Sequence, residues 1–113
     1  MRPLFHPQAD DIRLEAILHA LSDPARAALF IQIAAADCAQ TCTAIAGGAD
    51  QIIPKSTLSQ HFKVLREAGL IRSERHGVEM RNTARCAEVN ERFPGLLPAI
   101  LEAQKRQASQ DAS

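Results

Sequence analysis

A chain of 113 residues, 46% of them apolar and with 13 basic and 13 acidic side chains that cancel, can bury about two-thirds of its unfolded surface in one core and has no room for a second domain. Twenty alanines, four phenylalanines and no Trp or Tyr exclude a β-sandwich and point to Ala, Leu and Ile packed on helices. The zero formal charge offers no global reason to expect an acidic polymer as a partner.

In chain order, the N-terminus Met1-Arg2-Pro3-Leu4-Phe5-His6-Pro7 lacks the apolar stretch of a secretory signal. Asp10 and Asp11 then offer N-caps, and Leu14, Ile17, Leu18 and Leu21 recur at helical spacing, which predicts a first helix over 11–21. Asp23 and Pro24 read as cap and first residue of a second helix that runs to about Asp37 and is apolar nearly all round, the mark of a helix at the centre. Its apolar run, 27–36, is broken by Gln32 and is far short of the ~20 residues that cross a bilayer, so no membrane span is expected. Thr41 can cap a short third helix that Gly47 and Gly48 end.

The stretch 56–68 follows a loop at 49–53, starts on Pro54-Lys55-Ser56 and stops at Gly69. Leu58, Phe62 and Leu65 share one face of this helix, while Ser56, Ser59, Gln60, Lys63 and Glu67 lie opposite. Two short segments, 70–75 and 79–84, flank His76-Gly77 and predict a hairpin carrying Arg72, Arg75, Arg81 and Arg85. Phe93, Leu96, Leu97, Ile100 and Leu101 form a last helical stripe, placed over 94–106 and followed by a polar tail.

This order, mainly α with a small β-hairpin, matches a winged helix-turn-helix. A helix with an amide, hydroxyls and a cation on its outer face suits the DNA major groove, and a basic hairpin beside it can reach the adjacent backbone. The candidate contacts are Lys55, Ser56, Thr57, Ser59, Gln60 and Lys63 on the helix and Arg75, His76 and Arg81 on the hairpin. By segment, the zero charge separates: 3 basic and 6 acidic groups over 1–54 give −3, 7 and 3 over 55–85 give +4, and 3 and 4 over 86–113 give −1. Locally basic, salt-dependent binding follows from that distribution.

Leu21-Ser22-Asp23-Pro24-Ala25-Arg26, followed by the run from Ser56-Thr57-Leu58-Ser59-Gln60-His61-Phe62-Lys63 to Glu67-Ala68-Gly69-Leu70-Ile71, resembles the arsenic-repressor (ArsR) family of bacterial regulators over roughly residues 10–105. The resemblance implies a homodimeric winged-helix repressor that binds double-stranded operator DNA and is released by an effector, and the missing secretory signal points to a cytoplasmic location. It makes the helix at 56–68 the recognition helix, the hairpin at 70–85 the wing, and the first and last helices the dimer interface. Two features depart from the family pattern. The loop at 47–53 is a few residues longer than usual, and the strand at 80–84 is more polar.

Three cysteines, an odd and sparse number, do not frame a disulfide fold and imply thiols in a reducing compartment. Some members of the family bind metals through His and acidic residues on the last helix, but 94–113 contains no His. Others bind arsenite through a closely spaced cysteine pair, and Cys38 and Cys42 occupy the corresponding region with a Cys-x3-Cys spacing. On one helical face such a pair can hold a soft trivalent ion, As(III) or Sb(III), or form a thiol switch responding to reactive sulfur or oxygen species. Inert buried thiols are the third reading. Cys86 joins the pair only if the fold brings it alongside, and no cofactor is otherwise required. His61 is expected to pack and hydrogen-bond, and His6 and His19 carry no pattern. Two other classes compete: a winged-helix module that binds protein, and a thiol oxidoreductase, which lacks both Cys-x-x-Cys and a βαβ pattern. Effector-independent DNA binding with structural cysteines is a further alternative.

Overall fold

The Ser22-Asp23-Pro24 junction sets the architecture. In the computed structural model, which describes residues 5–35, 40–41 and 54–111, the helix α1 (Leu14–Leu21) ends here and α2 (Pro24–Ala35) begins. Asp23 Oδ1 accepts the backbone N–H groups of Ala25 and Arg26 at 2.9 and 3.2 Å, an N-cap, and Pro24 fills a position whose N–H has no helical partner. Three residues on, Arg26 folds back. Its Nε donates to the Ala20 carbonyl at 2.6 Å and its Nη2 to that of His19 at 3.2 Å, which also accepts the Ser22 hydroxyl at 2.6 Å, so a buried guanidinium helps satisfy the carbonyls at the end of α1. The six-residue motif is thus a rigid corner.

The first helix starts later than the sequence predicts. Asp10 and Asp11 lie in a 3-10 turn, Ala9–Asp11, and Ile12 and Arg13 are extended before α1 opens at Leu14. Ile12 is diverted into the core at 1% exposure, and its carbonyl accepts Arg92 Nε at 2.7 Å, so anchoring competes with helix here and wins. On α1, Ile17, Ala20 and Leu21 are buried, whereas Leu14 and Leu18 stand 39% and 48% exposed.

Beyond α2, the two-residue strand β1 (Gln40–Thr41) precedes α3 (Lys55–Glu67), the hairpin β2 (Ile71–His76) and β3 (Glu79–Ala84), and the helices α4 (Cys86–Arg92) and α5 (Leu96–Asp111). The short helix expected after Thr41 lies outside the described residues. Lys55 is the first residue of α3, with Pro54 in the capping position. The helix closes on a Schellman arrangement: Leu70 N–H donates to the Leu65 carbonyl, Gly69 N–H to that of Arg66, and Gly69 sits at φ 85°.

The sheet is antiparallel in the order β1-β3-β2, with Gln40 opposite Asn82 and Ser73 opposite Asn82. The strand β1 was not legible in the sequence, because two residues carry no period. The hairpin turns on Gly77-Val78, with Gly77 at φ 66°, and His76 is the last residue of β2 rather than part of the turn. The last stripe also divides. Pro94 forces Phe93 out of the helical region, to φ −132° and ψ 77°, so α4 ends there and α5 begins at Leu96. Pro98 is harmless as the third residue of α5, where N–H groups lack helical acceptors. The last helix, placed over 94–106 by its sequence, continues through the polar tail to Asp111. No described helix is long and apolar enough to cross a membrane.

The core gathers Ile17 and Leu21 of α1, Ala27, Leu29, Phe30 and Ile33 of α2, Leu58, Phe62 and Leu65 of α3, and Ile71, Val89 and Leu97. The centre is α2, as its all-round apolar sequence predicts, with α1, α3 and β3 packed against it.

Candidate nucleic-acid interface

The outer face of α3 is set by what its inner face buries. Leu58, His61, Phe62 and Leu65 turn inward, which leaves Lys55, Ser56, Thr57, Ser59, Gln60 and Lys63 exposed along one side. The six residues predicted from sequence therefore lie on one continuous helical surface. It presents hydroxyls, a carboxamide and two ammonium groups, donors and acceptors of the kind that read base edges or hold phosphate.

The wing is less uniform. Arg75, His76 and Arg81 are all exposed, but strand alternation divides them. Arg75 shares a face with Ser73 and Asn82, whereas His76 and Arg81 share the other with Glu74. Glu74 opposes Arg81 across the hairpin, and its Oε2 lies 3.6 Å from His76 Nε2. The wing thus offers one cation on one face and a mixed group on the other. Val78, at the tip, is 97% exposed.

Several residues that hold this surface carried no sequence signal. Asn82 is fully buried, and the Ser73 hydroxyl, itself in a buried residue, donates to its Oδ1 at 2.7 Å. Arg66 on α3 reaches the same hydroxyl through Nη1 at 3.5 Å. Polarity at 80–84, a departure from the family pattern, has its reason here: the strand carries a buried amide that ties the two halves of the wing. Arg85, 4% exposed, is gripped by both oxygens of Glu88 and donates through Nη1 to the Pro7 carbonyl at 2.8 Å. That guanidinium holds the Glu88 carboxyl below its usual range. The spacing Arg85-x-x-Glu88 is a readable hint of this pair, while the Pro7 contact spans the chain and is not.

Cys38 and Cys42 lie outside the described residues. Cys86 begins α4, half-buried in a cavity of about 380 Å³ lined by Ala87, Asn90, Leu97, Pro98 and Leu101, and burial raises its thiol pKa. Among the described residues no three His, Cys, Asp or Glu side chains come together as metal ligands. His61 is 7% exposed, and its Nδ1 lacks a hydrogen-bond partner among the described residues, so the hydrogen bond expected there is absent at that nitrogen.

Helices closed around α2, an exposed polar helix and a hairpin beside it define a winged helix-turn-helix protein. Residues 21–74 match a family model described as a helix-turn-helix domain. An ArsR-like transcriptional regulator from Rhodococcus sp. RHA1 is 25% identical and superposes with a TM-score of 0.62, the match covering 88% of this chain and 90% of that one. The fold recurs in Rv0081 of M. tuberculosis, 23% identical with a TM-score of 0.62 over 88% of this chain and 91% of that one. It recurs again in an ArsR family transcriptional regulator, 21% identical with a TM-score of 0.59 over 93% and 98% of the two chains. No curated protein sequence matches. The chain thus carries a helix-turn-helix domain and is similar over most of its length to an ArsR-like transcriptional regulator.

Proposed function

We propose that the protein is a homodimeric repressor that reads operator DNA with the outer face of α3 and braces it with the wing. The observation that carries this reading is the uninterrupted exposed row Lys55, Ser56, Ser59, Gln60 and Lys63 on a helix whose opposite face is locked into the core. Gln60 is assigned to a base edge, Lys55 and Lys63 to phosphate, and Arg75, His76 and Arg81 to the flanking backbone. Leu14 and Leu18, exposed on α1, support dimerisation through that helix together with α5. A two-fold pair of recognition helices one DNA turn apart, ~34 Å, fits a near-palindromic site.

Release by an effector at Cys38 and Cys42, either As(III) or Sb(III) or a reactive sulfur or oxygen species, is the second part of the proposal. Its support is the position of β1: Gln40 and Thr41, between the two cysteines in sequence, pair with Asn82 and Arg81 of the wing. A ligand or cross-link at the pair would pull on the central strand of the wing and shift its angle to DNA.

The test is a gel-shift titration on DNA from upstream of the protein's own gene. Gln60→Ala is expected to cost about 1–3 kcal/mol and relax sequence preference, and Lys63→Ala to weaken all sequences and flatten the salt dependence. Unchanged affinity in both variants removes the recognition-helix assignment in favour of a protein-binding winged helix. Arsenite, peroxide and persulfide treatments are compared with a Cys38→Ser variant. DNA that stays bound under all three makes the pair structural.

A further inference from the structure

The N-terminal arm lies along the wing, and the contact that holds its end is an imidazole. Ser73 N–H donates to His6 Nε2 at 3.0 Å. In the β2–β3 register, His76 and Glu79 flank a two-residue turn and Arg85 N–H bonds the Leu70 carbonyl at the other end, so Ser73 falls at a position whose N–H points away from β3. It is an edge donor, and His6 satisfies it. Next along the arm, Pro7 is buried, its carbonyl takes Arg85, and Pro7 and Ile12 cover Gly69.

Ser73 is also where the wing meets α3: its hydroxyl donates to Asn82 and accepts from Arg66. One residue thus joins the arm, both wing strands and the recognition helix. Of the groups meeting there, only His6 changes charge between pH 5 and 8. Acceptance of the Ser73 N–H requires Nε2 without a proton.

We propose that His6 is a pH-sensitive positioning residue of the wing: as neutral imidazole it latches the arm to the outer edge of β2, and on protonation it lets go, loosening the wing against α3. The charges on the elements packed here are Arg66 of α3, Arg72 and Glu74 beside Ser73, and Arg75 on its face of β2, Arg81 on β3, Arg85 with its partner Glu88 at the Pro7 carbonyl, Arg92 at the Ile12 carbonyl, and Asp10 and Asp11 on the arm. Docking therefore turns on the hydrogen bond itself, since an imidazolium carries a proton on Nε2 and cannot accept the Ser73 N–H. The latch is closed with the neutral imidazole and opens on acidification.

The consequence for DNA binding rests on the proposed function, so the experiment reads the latch and the DNA separately. Amide exchange at Ser73, as protection relative to the intrinsic rate at each pH, is followed by NMR in the full chain from pH 7.5 to 5.5. Wild type is expected to lose protection on acidification by about fivefold or more, the worth of one hydrogen bond. His6→Ala is unprotected throughout. His6→Gln, whose amide oxygen accepts at every pH, shows no pH response. Protection at Ser73 that is the same in wild type at both pH values, or unchanged in His6→Ala, overturns the proposal. In the DNA arm, the acid-induced loss of affinity is expected to be about fivefold smaller in His6→Gln than in wild type. An equal loss in the two shows that the latch does not position the wing on DNA, and absence of DNA binding at every pH counts against the proposed function while leaving the exchange result to decide the latch.

Discussion

Arg26 Nε donates to the Ala20 carbonyl at 2.6 Å, so a residue in the first turn of α2 closes the helix before it. The guanidinium is 8% exposed and also holds His19. Arg26→Met keeps the aliphatic stem and removes both bonds. It is expected to lower unfolding stability by about 2–3 kcal/mol, the range for buried bonds to a charged donor, read from urea denaturation. An unchanged midpoint means that water satisfies these carbonyls.

The acid limb of stability follows from two carboxylates. Asp23 is held below its usual range, chiefly by the Arg26 N–H, and Glu88 chiefly by the Arg85 side chain. For a carboxyl lowered by folding, the stabilisation is complete above the unfolded value, about 4, and drains away as pH falls through the folded one. Unfolding midpoints from pH 6 to 2.5 are expected to fall below pH 4. Asp23→Asn keeps the cap and flattens this limb, and Asp23→Ala costs about 1 kcal/mol at neutral pH. Glu88→Gln flattens the limb too, but lowers stability at pH 7 by roughly 2 kcal/mol, because Arg85 stays buried with one strong partner fewer. A limb of the same slope in both variants would assign acid sensitivity elsewhere.

Two glycines at positive φ separate backbone strain from packing. A Cβ on Gly69 would stand 2.5 Å from Ile12 Cγ1 and 2.9 Å from Cδ1, with φ at 85°. At Gly77, φ is 66° and nothing lies within 4 Å. Gly69→Ala is expected to cost about 2–4 kcal/mol, strain plus a crowded core isoleucine, and Gly77→Ala about 1–2 kcal/mol of strain alone. Equal losses by denaturant titration would show that Ile12 yields freely.

The exposed leucines of α1 predict association. Leu14→Glu with Leu18→Glu is expected to leave helical circular dichroism unchanged and to shift the protein to monomer in sedimentation at micromolar concentration, since both side chains already face solvent in the single chain. A wild-type protein that is monomeric there would remove α1 from the proposed interface.

What could be read from the residues was what periodicity and local chemistry encode. The Asp23-Pro24 start of α2, the inner and outer faces of α3, the stop at Gly69 and the hairpin around Gly77 all depend on neighbours within a few positions, so the polar row from Lys55 to Lys63 was visible before any fold. The split of the last stripe at Pro94 belongs to the same class of information, since proline restricts the residue before it, but the apolar spacing across it masked the break.

Other features arise only when distant segments meet. Ile12 reads as the start of a helix and instead becomes an extended anchor, because filling the space over Gly69 and meeting Arg92 outweighs one turn of helix. Leu14 and Leu18 share a helical stripe with Ile17 and Leu21, yet only the packing of α2 decides which pair is covered. Asn82 reads as a solvent-facing strand amide until Ser73 is placed across from it, and His6 carries no pattern at all until 67 positions of chain return Ser73 to its side. Sequence alone therefore determined the winged-helix class and the polar outer face of α3, both written in short-range periods. Which polar groups lock that face in place was decided by tertiary structure, because a buried donor takes whichever acceptor the folded chain brings within 3 Å, with no regard for its distance in sequence.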